Sequence, residues 1–105
     1  MSIFDTLRAH RVANTGLRME AMFKADPERF STFSARLDDM LLDYSKTTID
    51  LPARDLLLQL ATERRVEAQR DAMFLGAKIN TTEDRAVLHT ALRNRSDRAV
   101  MVDGY

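Results

Sequence analysis

The segment from Asp50 to Arg64 constrains this chain more than any other. Asp50-Leu51-Pro52 joins a side chain that can accept from free amides to a residue with no amide to leave unpaired. Leu56, Leu57, Leu60 and Ala61 then recur at helical spacing, which predicts a long helix ending near Arg64 with one apolar stripe to cover. Such a stripe needs other elements packed on it, so the remaining sequence is read for what could supply them.

Most of it reads as further helix. Ser2, followed at the third position by Asp5, resembles a capping box, and Ile3, Phe4 and Leu7 keep helical spacing, predicting a first helix from Ile3 to about Ala13. Asn14-Thr15-Gly16 interrupts it, and Leu17, Ala21, Met22 and Phe23 predict a second, short one. Asp26-Pro27 opens a single helical turn through Phe30. Val66, Ala68, Ala72, Met73 and Leu75 carry the next stripe, closed by Gly76 as a left-handed residue. A last helix is expected from Thr81 or Thr82, with Glu83 and Asp84 in its positive first turn and Ala86, Val87, Ala91 and Leu92 on its apolar face.

Between Phe33 and Tyr44 the period changes. Phe33, Ala35 and Leu37 alternate with polar residues, and after Asp38-Asp39 so do Met40, Leu42 and Tyr44, which predicts a small antiparallel hairpin. Leu37, Met40, Leu41 and Tyr44 also satisfy helical spacing, and that reading stays open here. Ala99 to Val102 reads as a β-branched strand with no later partner. The expected fold is therefore mainly α, with about five helices and a small β-hairpin, and at 105 residues one compact domain covers 1–105.

Composition excludes more than it selects. The apolar runs are far shorter than the roughly 20 residues of a bilayer span, and the acidic amino terminus does not read as a secretory leader, so a cytoplasmic location is expected. Cysteine is absent, which removes disulfides, thiolate nucleophiles and zinc-thiolate sites. Sixteen basic residues balance sixteen acidic ones along the chain, so neither nucleic acid nor a membrane is an expected partner. The densest positive patch, Arg93-Asn94-Arg95-Ser96-Asp97-Arg98, could neutralise a phosphate, but more often such a patch is a solvated helix end.

Neither phosphate-cradling glycine motif occurs among three glycines. His10 and His89 lie on different predicted helices, without the spacing of a metal site. Arg85, His89 and Arg93 share one predicted helix face that could grip an anion, although a polar face with a structural histidine is the favoured reading. Glu83 and Asp84 are adjacent, point apart on a helix and suit its dipole better than acid-base work. No catalytic, cofactor-binding or metal-binding residue is assigned.

Two stretches carry more. Residues 70–95, running Arg70-Asp71-Ala72-Met73-Phe74-Leu75-Gly76 and on through Lys78-Ile79-Asn80, Thr82-Glu83 and Arg85-Ala86-Val87-Leu88-His89 to Ala91-Leu92-Arg93-Asn94-Arg95, resemble the amino-terminal region of the glucose-6-phosphate isomerase family. Asp43-Tyr44-Ser45-Lys46 and Val100-Met101-Val102-Asp103-Gly104 are similar to further segments of that family, its Asp-Tyr-Ser-Lys and Val-Asp-Gly. Two departures stand out: Ala77 replaces a usual Glu, and Arg65 stands where a Gly commonly separates two helices.

The resemblance implies an aldose-ketose isomerase acting on glucose 6-phosphate and fructose 6-phosphate in glycolysis and gluconeogenesis, without a cofactor, through an enediol formed by a carboxylate base. It also implies that the catalytic groups lie in sugar-isomerase domains beyond this region, so this chain is expected to be a catalytically incompetent piece of a larger, dimeric α/β enzyme. Sugar phosphate is then a partner only of the full-length parent, and the piece is expected to self-associate or pack on the isomerase domains. The alternative is a helical interaction module that docks on an intact isomerase or another partner.

Overall fold

Ser2 and Asp5 form the reciprocal cap that their spacing predicts. The Ser2 hydroxyl accepts from the Asp5 amide at 3.2 Å and the Asp5 carboxylate accepts from the Ser2 amide at 3.1 Å, so α1 runs Ile3–Ala13. The computed structural model describes residues 1–105 and contains six helices and one two-stranded antiparallel sheet. The chain is therefore mainly α with a small hairpin, as the periodicity predicts. It forms two compact units, residues 1–59 and 60–105.

In the first unit α2 (Met19–Ala25) and α3 (Arg29–Thr32) flank Asp26-Pro27. The Asp26 carboxylate accepts from the Glu28 amide at 3.0 Å, so the proline stands where no amide donor is required. β1 (Ser34–Leu37) and β2 (Met40–Asp43) pair from Ser34 opposite Asp43 to Leu37 opposite Met40. The hairpin reading thus holds over the helical rival. Its two-residue connection works because Asp38 takes φ +51°, a left-handed conformation that Asp adopts more readily than most residues.

The long helix expected after Asp50, α4, spans Leu51–Glu63 and starts in this unit. Asp50 caps it, its carboxylate accepting from the Ala53 amide at 2.9 Å.

Phe33 is the centre of the first unit and only 2% exposed. The Tyr44 ring meets it edge-on at 5.8 Å. The Arg29 guanidinium lies 4.4 Å from its centroid and that of Arg54 5.7 Å away. Arg29 is 3% exposed and has no carboxylate partner. Its Nε donates to the Ser45 carbonyl at 2.9 Å, and its Nη2 donates to the Thr47 and Ile49 carbonyls at 2.5 and 3.0 Å. Burying an unpaired cation costs several kcal/mol, and here three carbonyl dipoles and the aromatic faces take the place of water.

In the second unit Arg65 sits between α4 and α5 (Val66–Phe74) at φ +54°, so the chain breaks there as it would at a glycine. Gly76 ends α5 at φ +76°. Its amide donates to the Met73 carbonyl at 3.2 Å and the Ala77 amide to the Ala72 carbonyl at 3.0 Å, the paired bonds of a Schellman motif.

Beyond this point the structure departs from the expected last helix. Asn80 and Arg85 exchange both backbone hydrogen bonds at 3.1 Å, residues 81–84 form the turn between them, and α6 covers only His89–Leu92. The Asn80 side chain reaches the turn from within, its carbonyl oxygen 3.4 Å from the Glu83 amide, and Asp84 takes φ +53°. A side chain that supplies its own backbone with a partner competes with helix formation, which is the reason the helix starts late.

The strand expected over Ala99 to Val102 does not form. Val102 and Tyr105 instead close a turn through two mutual backbone bonds of 2.9 and 3.0 Å.

Candidate functional site

The residues singled out for possible chemistry are each occupied by their neighbours. Asp43-Tyr44-Ser45-Lys46 follows β2. One Asp43 oxygen accepts from the Ser45 amide at 2.9 Å and from its hydroxyl at 2.5 Å, and the other accepts from Lys46 Nζ at 2.7 Å. The Lys46 ammonium and these Ser45 bonds hold the Asp43 carboxyl down at about 2. The carboxylate is tuned away from proton transfer near neutrality and instead fixes the loop that presents three carbonyls to Arg29.

His10 and Asp50 meet across forty residues. His10 Nε2 lies 2.8 Å from Asp50 Oδ1, with both side chains about three-quarters buried. Burial raises the Asp50 carboxyl, but the Ala53 amide and His10 together outweigh that and leave it below its ordinary value. The pair lines a groove of about 190 Å³ together with Leu7, Leu17, Ile49 and Leu57. An oriented imidazole beside a carboxylate is the supporting half of a nucleophilic site. Here it links the end of α1 to the cap of α4, and the Asn14 side-chain amide secures the same helix end by donating to the His10 carbonyl at 2.9 Å.

The helix face expected to join Arg85, His89 and Arg93 is not assembled. Arg85 belongs to the Asn80 bridge, His89 opens α6, and only Arg93 turns back, its Nη1 donating to the His89 carbonyl at 3.1 Å. Glu83 and Asp84 also part company. Glu83 accepts from the Asn80 side-chain amide at 3.1 Å, and Asp84 lies 3.4 Å from Lys78 Nζ, which reaches Asp103 at 3.2 Å. Both carboxylates brace a turn and neither occupies a helix start. No three His, Asp or Glu side chains gather as metal ligands would.

Sequence reasoning missed Arg29 and the His10–Asp50 pair. Nothing near either residue signals it, because both depend on contacts made at long separation.

Comparison with known proteins shows the family of this chain. A model of the phosphoglucose isomerase family matches residues 43–105. The chain belongs to the phosphoglucose isomerase family. Glucose-6-phosphate isomerase of Rhizobium rhizogenes is 53% identical over 103 residues, covering 98% of this chain and 19% of the relative. The enzyme of Rhizobium etli strain CFN 42 is 52% identical over the same coverage, and that of Cereibacter sphaeroides strain KD131 is 58% identical over 97% of the chain and 19% of its own length. The chain thus spans about a fifth of the length of the curated relatives it matches.

Within this isomerase-family chain the matched span begins at Asp43 and so takes in the loop that Asp43 fixes. It also covers α4, α5 and the 80–85 turn. No helix is long and apolar enough to cross a membrane.

Proposed function

We propose that residues 1–105 are the amino-terminal helical segment of a glucose-6-phosphate isomerase, a cytoplasmic enzyme that interconverts glucose 6-phosphate and fructose 6-phosphate without a cofactor, and that the segment alone is catalytically silent. The observation that carries this reading is the coverage: 98% of this chain aligns at 53% identity with 19% of an isomerase. The site supports the silent half of it. The carboxylates held low, Asp5, Asp43 and Asp50, serve as caps and loop braces, and an enediol mechanism needs a base poised nearer neutrality.

The sugar phosphate is bound by the parent, and the segment contributes apolar surface that packs on the isomerase domains or, in their absence, on itself. Phe4, Leu37, Met40, Leu42, Leu58 and Leu92 all lie more than half exposed.

A coupled assay for fructose 6-phosphate conversion tests the proposal. Purified 105-residue chain reads at background, and a full-length isomerase of the family assayed alongside it turns over. Activity in the short chain that disappears when one of its own residues is replaced overturns the reading.

A further inference from the structure

The groove beside α6 holds an arrangement that the isomerase reading does not use. Arg93, Arg95 and Arg98 line one groove of about 620 Å³ in the second unit, together with the polar Thr90 and Ser96 and the apolar Phe74 and Leu75. Its volume lies within the roughly 300 to 1,000 Å³ usual for small-molecule sites.

The loop that carries the arginines is fixed by its own side chains. Asn94 Oδ1 accepts from the Ser96 amide at 2.9 Å and from its hydroxyl at 2.7 Å, while Asn94 Nδ2 donates to the Arg98 carbonyl at 2.7 Å. These bonds fix the backbone from which Arg95 and Arg98 extend, and both residues line the groove with Arg93. Elsewhere Arg8, Lys24, Lys46, Arg70 and Lys78 are each neutralised by a carboxylate within 4 Å, whereas the exposed Arg11, Arg18, Arg36, Arg64, Arg65 and Arg85 enter no ion pair, so what sets this segment apart is that three arginines share one groove. Arg95 and Arg98 enter no ion pair, and neither guanidinium donates a hydrogen bond; Arg93 spends one donor on the His89 carbonyl. Asp97, the acid of the segment, pairs with none of them.

We propose that this groove binds a phosphomonoester, its phosphate gripped by Arg95 and Arg98 with Arg93 in support and its carbon portion lying on Phe74 and Leu75. Guanidinium forks match phosphate oxygens two at a time, and a dianion offsets the mutual repulsion of cations that share one groove. The short loop and the adjoining apolar wall suit one small anion with a carbon body better than an extended acidic peptide, which needs a continuous basic track. The inference rests on the groove's own residues and stands whether or not the isomerase reading does.

The test is a titration of the isotopically labelled 105-residue chain, followed by amide and arginine Nε–H resonances. The probes are glycerol 3-phosphate, sodium chloride at matched ionic strength, and hexaglutamate. Glycerol 3-phosphate gives saturable shifts at Thr90, Ser96 and Arg98, weakened about tenfold or more when Arg95→Gln and Arg98→Gln are combined and unchanged in Arg18→Gln. Affinity rises between pH 5.5 and 7.5 as the ester takes its second charge at about pH 6. Arg95→Lys with Arg98→Lys keeps the charge and loses the fork, so it binds more weakly than the parent chain and more tightly than the glutamine pair. Linear shifts equal to those of chloride, unchanged affinity in the glutamine pair, or tighter binding of hexaglutamate each overturns the proposal.

Discussion

The two units of this chain are held together in different ways. Residues 1–59 have a centre: Phe33 is buried, Arg29 is buried against it, and one guanidinium ties down three carbonyls from the loop ahead of α4. Residues 60–105 contain no buried apolar side chain, since Ile3 and Phe33 are the buried hydrophobic residues of the whole chain. Two backbone closures and one exposed ion-pair cluster hold that unit instead: the Schellman closure at Gly76, the Asn80–Arg85 bridge, and the Lys78 ammonium reaching both Asp84 and Asp103. Side-chain packing can stabilise a unit on its own. Backbone closures fix local shape and leave apolar residues such as Phe74, Leu75 and Leu92 in water, at about 25 cal/mol for each Å² that a cover would bury. The second unit is accordingly the one whose stability depends more on what covers it.

Removing the centre of the first unit gives the largest effect. Phe33→Ala costs about 3 to 5 kcal/mol from the lost ring and its cavity, and it strips the surface on which two guanidinium groups rest. Native-state hydrogen exchange reads the outcome unit by unit. Amides of residues 29–45 lose protection while those of 66–76 keep theirs, and equal loss in both removes the distinction drawn here.

Gly76→Ala is the matching blow to the second unit. A Cβ there meets the Met101 carbonyl oxygen, and the φ of +76° itself costs a side chain about 1 to 2 kcal/mol. Exchange protection is lost around 72–77 and 100–102 and kept near Phe33.

What the sequence could show of this contrast follows from how far each interaction reaches. Ser2 with Asp5, Asp26-Pro27, Asp50 and Gly76 act within about five residues, so their elements are predictable from spacing alone. Residues 81–85 were misread because Thr81, Thr82, Glu83 and Asp84 look like a helix start, while the deciding group, the Asn80 side chain, lies one residue earlier and suits a turn equally well. The strand expected over Ala99 to Val102 follows from β-branched composition, and composition supplies no partner. Arg29 could not be found, because arginine is rarely buried and its three acceptors lie 16 to 20 residues away. Of the candidate site, the family resemblance was legible, whereas the separate partners of Glu83 and Asp84 were not.

Acid and alkali separate the units more gently. The depressed carboxyls of Asp5, Asp43 and Asp50 all lie in the first unit. A carboxyl whose folded value lies below its unfolded one stabilises the fold above the unfolded value of about 4 and loses that contribution as pH falls through the folded value. For Asp43 the loss is spread between about pH 4 and about 2. In the second unit Lys78 is raised by its hydrogen bonds to Asp103 and Asp84. Its contribution is complete below the ordinary lysine value of 10.5 and is lost as pH rises through the folded value. Resonances near Tyr44 therefore weaken first on acidification and those near Lys78 first on alkalinisation. Asp43→Asn flattens the acid limb and leaves the alkaline one, and a common midpoint for both regions at either extreme contradicts the assignment.

The smallest effect has the opposite sign. Arg65 is held at φ +54° between α4 and α5, a conformation that costs an L-residue about 1 to 2 kcal/mol and costs glycine almost nothing. Arg65→Gly removes that strain, gives some of the gain back through the extra freedom of glycine in the unfolded chain, and loses no ion pair, because none is formed at this position. The net result is a stabilisation of about 0.5 to 1 kcal/mol, measured as a higher denaturant midpoint with an unchanged slope. The slope carries the argument: an unchanged value means that the same surface is exposed and that only strain was relieved. A lower midpoint would mean that the arginine stem covers apolar surface worth more than the strain it bears, and the break between α4 and α5 would then be held by its side chain as well as by its backbone.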